Sequence, residues 1–183
     1  MLNFIFKIAS VRPINITLVL LLFLSLFLFS KYGVYYHPDG FNPLDMRMAY
    51  TSADVVNYFN KLGANGRKDY YYAVSRIDLV FPIIYGALIV LQLALLIKVL
   101  FKSNSLLFLA LGILPIGIVV LDYLENLNTL KMLADFPNIS SGMATAGTCY
   151  TSTKLYLSFI CILLITVGYA CMIIKKRYIN KGQ

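Results

Sequence analysis

Charge is scarce in this 183-residue chain. Only 13% of its residues are Asp, Glu, Lys or Arg, against roughly a quarter in a soluble domain. That deficit excludes an ordinary water-facing surface. Histidine is scarcer still: His37 stands alone. Without a Cys/His cluster a classical zinc site is excluded, and neither metal nor cofactor is expected. The three cysteines, Cys149, Cys161 and Cys171, form no CxxC pair. Cys161 and Cys171 lie in an apolar segment, where cysteine packs as a small hydrophobe. Cys149 has no partner on its own side of the chain. Neither an intrachain disulfide nor thiol redox chemistry is expected. Walker, dinucleotide, nucleophile-elbow and metalloprotease-helix patterns are all missing, which removes the catalytic classes that short motifs reveal.

What the chain does have is apolar sequence. Hydrophobic residues make up 60% of it, and the mean hydropathy is +0.76. They gather in four blocks, 14–30, 79–97, 106–121 and 155–174. About 20 apolar residues cross a bilayer core as a helix. The second and fourth blocks meet that length. The first meets it with residues 11–13 added, and the third with the stretch LDYLEN, 121–126, as its last turn. The expected fold is all-α: a single integral membrane domain, built as a four-transmembrane-helix bundle. Its spans are placed at about 11–30, 78–98, 105–126 (the helix extending to about 133) and 155–174. Residues 31–77 form a cap and 135–154 a second loop. A cleaved signal peptide is disfavoured, because Leu28, Phe29 and Ser30 make a poor cleavage site.

The net charge of +8 is explained by its placement. Lys7, Arg12, Lys98, Lys102, Lys175, Lys176, Arg177 and Lys181 lie at the two ends and in the second connection, where there is no acidic residue. The other eight basic residues share their side with all eight acids. Lys and Arg are retained on the cytoplasmic side. Both termini are therefore expected in the cytoplasm, with 31–77 and 135–154 outside, in a bacterial cytoplasmic membrane. The basic flanks suit anionic lipid headgroups, so membrane lipids are expected partners and nucleic acid is not.

Within the cap, KYGVYYHPDGFNP (31–43) is irregular because of Pro38, Gly40 and Pro43. Thr51 and Asp54 then fit a capping box. They open a short amphipathic helix over about 52–62, with Val55, Val56, Phe59 and Leu62 on one face and Gly63 as its stop. Asn65-Gly66 reads as a turn, and a helical pattern starts near Asp69 and runs straight into the second span. Pro82 falls inside that span and should bend it. Gln92, a lone amide deep in the span, should bond to a neighbouring helix. The Gly-, Ser- and Thr-rich stretch 135–154 reads as a flexible loop.

LDYLEN raises the functional question. Asp122, Glu125, Asn126 and Thr129 are spaced i, i+3, i+4, i+7 and share one helix face. A carboxylate facing lipid at the midplane costs about 2.5–3.5 kcal/mol, so this face should turn inward. Asp78 opens the second span at the same depth. Arg47, Arg67, Arg76, Tyr50 and Lys154 should surround or overlie it. One reading is structural, with Arg–carboxylate pairs pinning the cap. Another is a ligand pocket, with arginines for an anionic headgroup. Ion conduction is weakly supported, since Gln92 alone continues the polar layer. The leading expectation is a non-enzymatic protein binding a lipid-like or small ligand, or a membrane protein partner, through Asp78, Asp122, Glu125, Asn126, Arg47, Arg67, Arg76, Tyr50 and Lys154. Alternatives are a membrane enzyme on a lipid-linked substrate, with Asp122, Glu125 and Asp78 as catalytic candidates, and an accessory subunit of a larger complex.

RIDLVFPIIYG (76–86) and VLDYLENLNTL (120–130) resemble motifs of a family of small four-helix bacterial membrane proteins. In that family an Asp opens the second helix before Phe-Pro-x-x-Tyr-Gly, and the third helix ends in Asp-x-x-Glu-Asn. Asp78, Phe81, Pro82, Tyr85, Gly86, Asp122, Glu125 and Asn126 match. The resemblance implies the bundle and picks out the same polar layer. It carries no activity.

Overall fold

A computed structural model describes residues 2–31, 43–102 and 104–181, and these are predominantly helical, with no strand among them. The elements are α1 (Leu2–Ile8), α2 (Arg12–Lys31), a single 3-10 turn (Leu44–Met46), α3 (Ser52–Tyr72), a π-helical turn (Ala73–Ile77), α4 (Phe81–Phe101), α5 (Ser105–Asp135) and α6 (Ser141–Lys181). Most of KYGVYYHPDGFNP, with His37, lies outside the described residues.

Helices α4, α5 and α6 are each long and apolar enough to cross a membrane, and α2 carries the shorter apolar stretch Ile14–Leu28. Helix α5 packs along both α4 and α6, while α2 lies against α4. Large apolar side chains face away from the bundle, among them Phe23, Phe27, Leu106, Ile113 and Phe159. Exposure on that scale fits lipid or a partner, not water.

The apolar interior has two centres. At one end Phe6 of α1 folds back onto Phe108 of α5, ring centroids 5.3 Å apart, among Leu91, Ala94 and Ile97 of α4. Helix α1 thus packs into the bundle. At the other end Leu44, Tyr50, Val55, Tyr58 and Phe59 close over Met132 of α5 and Ala144 of α6.

The capping box forms as the sequence indicates. Thr51 N donates to Asp54 Oδ2 at 2.7 Å, and Asp54 N donates to Thr51 Oγ1 at 3.2 Å. The Thr51 hydroxyl, then its backbone N–H, hold the Asp54 carboxyl below its ordinary value. Its stabilising contribution is therefore present above the unfolded-state value and fades as pH falls through the lower folded value. Thr51→Ala should cost about 1 kcal/mol, seen as a lowered Tm of the detergent-solubilised protein. An unchanged Tm would show that α3 is held by packing alone.

Three local expectations are corrected. First, Gly63 at φ 66° breaks the helical path as expected, since a positive φ suits a residue without Cβ. The helix resumes at once, however, and residues 64–72 are helical through Asn65-Gly66. There Tyr70 packs edge-on to Tyr58, centroids 5.7 Å apart, and that burial outweighs the local turn preference. Second, Asp78 does not open the second span. It ends the π-helical turn, its N–H bonding Ala73 O at 2.9 Å, and α4 starts three residues later. Pro82 thus falls in the first turn of α4, where its missing N–H costs nothing. Third, the flexible loop over 135–154 is mostly helix, because α6 begins at Ser141. Its small residues are packing positions. A Cβ on Gly147 would stand 1.9 Å from the Tyr50 hydroxyl, so the ring can lie across α6 only at glycine. Thr148 Oγ1 fastens the same contact, accepting from Tyr50 N and donating to Tyr50 O, both at 3.1 Å.

Candidate functional site

The polar face of LDYLEN does turn inward. Asp122, Glu125, Asn126 and Thr129 are all buried, at 1–7% exposure, while Leu127 on the opposite face is 65% exposed. The counter-ion supplied to this face is a lysine from α6. Lys154 Nζ donates to Asp122 Oδ1 at 2.8 Å and to Glu125 Oε2. The remaining carboxylate oxygens are also engaged. Tyr85 of α4 donates its hydroxyl to Asp122 Oδ2, and Thr151 of α6 donates to Glu125 Oε1. The spacing makes this possible. Thr151 and Lys154 are three residues apart on α6, and Asp122 and Glu125 three apart on α5, so two facing helix ridges interdigitate through charge.

Asn126 donates from Nδ2 to Asp78 O at 3.2 Å, which ties the turn ahead of α4 to α5. Burial, then the neighbouring Asp122 carboxylate, push the Asp78 carboxyl up to about 8; Asp45 adds to this, while Lys154 and Asn126 oppose it. A group raised this way stabilises the fold fully below its unfolded value, near 4, and loses that contribution as pH rises through about 8. Tm should therefore fall between about pH 4 and 8 and level off above, and Asp78→Asn should flatten that slope. A slope unchanged in the variant would assign it to another group.

Among the described residues, the partners of Asp122 and Glu125 are not arginines. Arg67 donates to Phe59 O at 2.8 Å and stacks over Phe136, its guanidinium carbon 4.5 Å from the ring centroid. Arg47 lies over Tyr58 at 5.2 Å. Arg76 is exposed. The expected Arg–carboxylate pinning of Asp122 and Glu125 is replaced by Lys154. Both residues that bond Glu125 come from the stretch the sequence suggested was loop and loop end, and only as helix do they sit one turn apart. Tyr50 is buried beside Thr151.

Beside this network is a crevice of about 540 Å³, walled by α2, α4 and α6. Both α2 and α6 pack on α4 but scarcely on one another. At its polar end are Asp45, Tyr85, Asp122 and Lys154; Leu26, Ile89, Leu155 and Ile162 line the rest, with Ser30 and Ser158. Glu125 and Asp78 stand behind and do not line it. Sequence reasoning missed Asp45 and Ser158 and gave Tyr85 only as a motif position. Asp45 sits in an aperiodic turn that no pattern marks. Tyr85 did leave a signal: with Ile89 and Gln92 it makes an i, i+4, i+7 stripe on α4, and that stripe faces the opening between α2 and α6.

No group of three or more His, Cys, Asp or Glu placed to hold a metal ion exists among the described residues. No family model, curated protein or solved structure matches this chain.

Proposed function

We propose that this chain is a multi-pass integral membrane protein that holds one amphiphile in the crevice between α2, α4 and α6, its head against Asp45, Tyr85, Asp122 and Lys154. In this reading α2 is the fourth span, the basic end faces the cytoplasm, and the crevice opens in the outer leaflet. The observation that carries it is the crevice itself: an apolar slot ending at a fixed polar cluster, which is the shape of a lipid site. The cluster sets the head. Asp122 and Glu125 share the one ammonium of Lys154, and both oxygens of each are already engaged. Two carboxylates to one ammonium favour a head carrying an ammonium over a purely anionic one. The arginines that would have favoured an anion are turned to the cap.

The arrangement favours binding over acid–base catalysis. Asp122 alone of the three catalytic candidates reaches the crevice, and its oxygens already accept from Lys154 and Tyr85. The test is native mass spectrometry of protein extracted in mild detergent. A single bound amphiphile with an ammonium-bearing head is expected. A spectrum showing only the bare chain, under conditions that keep lipid on a control membrane protein, would contradict it.

A further inference from the structure

A second cavity, of about 450 Å³, lies toward the basic end, between the α1–α2 turn, α4 and α6. Its lining is Ala9, Ser10, Arg12, Asn15, Ile16, Gln92, Leu95 and Tyr169. Gln92 is not a lone amide. Its Nε2 donates to Asn15 Oδ1 at 2.9 Å, and its Oε1 accepts from the Tyr169 hydroxyl. Asn15 in turn donates to Ala9 O at 3.2 Å and Val11 O at 3.1 Å. The floor is thus a neutral hydrogen-bonded layer joining three helices, its acceptors largely used. Charge at the mouth has one sign. Arg12 lines it, and Lys98 Nζ reaches Ser10 Oγ at 2.8 Å. Lys175 is fixed at the same end by a 3.1 Å bond to Val99 O. No acidic residue lines the cavity, and the acids among the described residues lie in the segments at the other end.

We infer that this cavity binds a phosphate-bearing anion, with the phosphate on Arg12 and any attached apolar chain along Ile16 and Leu95. Arg12 is the cation in the lining, no acid faces it, and Ile16 and Leu95 supply an apolar wall, which together favour a net-anionic phosphate over a neutral or zwitterionic head. The ligand chemistry is shared by an anionic phospholipid and a soluble phosphate compound. This site is separate from the carboxylate-end crevice and stands whether or not that crevice binds anything.

The experiment uses the full chain in detergent and follows its Tm during titration with short-chain phosphatidylglycerol, phosphatidylcholine or inorganic phosphate at constant ionic strength. Phosphatidylglycerol should raise Tm and phosphatidylcholine should not. Arg12→Gln, at an exposed position, should fold normally and weaken the apparent affinity about tenfold; Arg12→Lys should restore most of it. If inorganic phosphate gives the same Arg12-dependent shift, the anion chemistry stands and the ligand is soluble. If phosphate gives none while phosphatidylglycerol does, the ligand is a lipid. A shift that survives Arg12→Gln is diffuse attraction to a basic surface, and overturns the site. So does an equal response to phosphatidylcholine.

Discussion

Lys154→Met should lower the stability of this protein more than any other single change at the site. Lys154 is 9% exposed, and its partners Asp122 and Glu125 are 4% and 1% exposed. Removing the ammonium leaves two buried carboxylates facing each other across one helical turn with no counter-charge. Breaking a buried pair from one side costs about 3–5 kcal/mol, because the orphaned charge stays desolvated. For a chain of this length that is a fall in Tm on the order of 10 °C. The mechanism makes a second demand. The triple variant Lys154→Met, Asp122→Asn, Glu125→Gln removes the charges together and should recover most of the loss. Tm of both variants in one detergent checks it. If the triple variant is no better than the single one, Lys154 acts by packing its stem and not by compensating charge.

The second large effect concerns ligand and not stability. Ser158 is half-buried on the α6 wall of the crevice, one helical turn from Lys154, and makes no contribution to the carboxylate network. Ser158→Phe projects a ring into the slot and fills the space an acyl chain would take. Apolar bulk added where there is already a void strains nothing, so Tm should stay close to wild type or rise. Bound amphiphile should disappear. Asp122→Asn makes the complementary test at the polar end: the slot stays open, but the head loses its carboxylate. The two variants should therefore lose ligand for different reasons, the first for every head and the second selectively for ammonium-bearing ones.

Much of this was legible beforehand, and what was not has physical causes. The inward turn of Asp122, Glu125, Asn126 and Thr129 follows from their spacing on an otherwise apolar helix, since a carboxylate cannot face hydrocarbon cheaply. The capping box and the break at Gly63 are local chemistry, written in three or four adjacent residues. The identity of the counter-ion was not local. Arg76 is near Asp78 in sequence, and arginine suits carboxylates, yet the pairing went to Lys154. That choice depends on 141–154 being helix, which brings Thr151 and Lys154 onto the ridge facing α5. Nothing in the run of Gly, Ser and Thr announces a helix. It is stabilised by contacts from 50 and 128, a tyrosine ring over Gly147 and an Asn128 Nδ2 bond to Met143 O at 3.0 Å. Asp45 was hidden for the same reason, since its place at the crevice is set by the burial of Leu44 among Val55, Phe59 and Met132 and not by any periodicity.

The measurement that bears most directly on the central claim is the count of lipids retained by wild-type and Ser158→Phe protein, taken by native mass spectrometry after identical extraction. One ammonium-headed amphiphile on the wild type and none of it on the filled variant, with matching Tm, is the predicted result. Equal retention by both proteins would mean that the slot between α2, α4 and α6 is not where lipid sits, and that the polar cluster beside it serves only to join the helices.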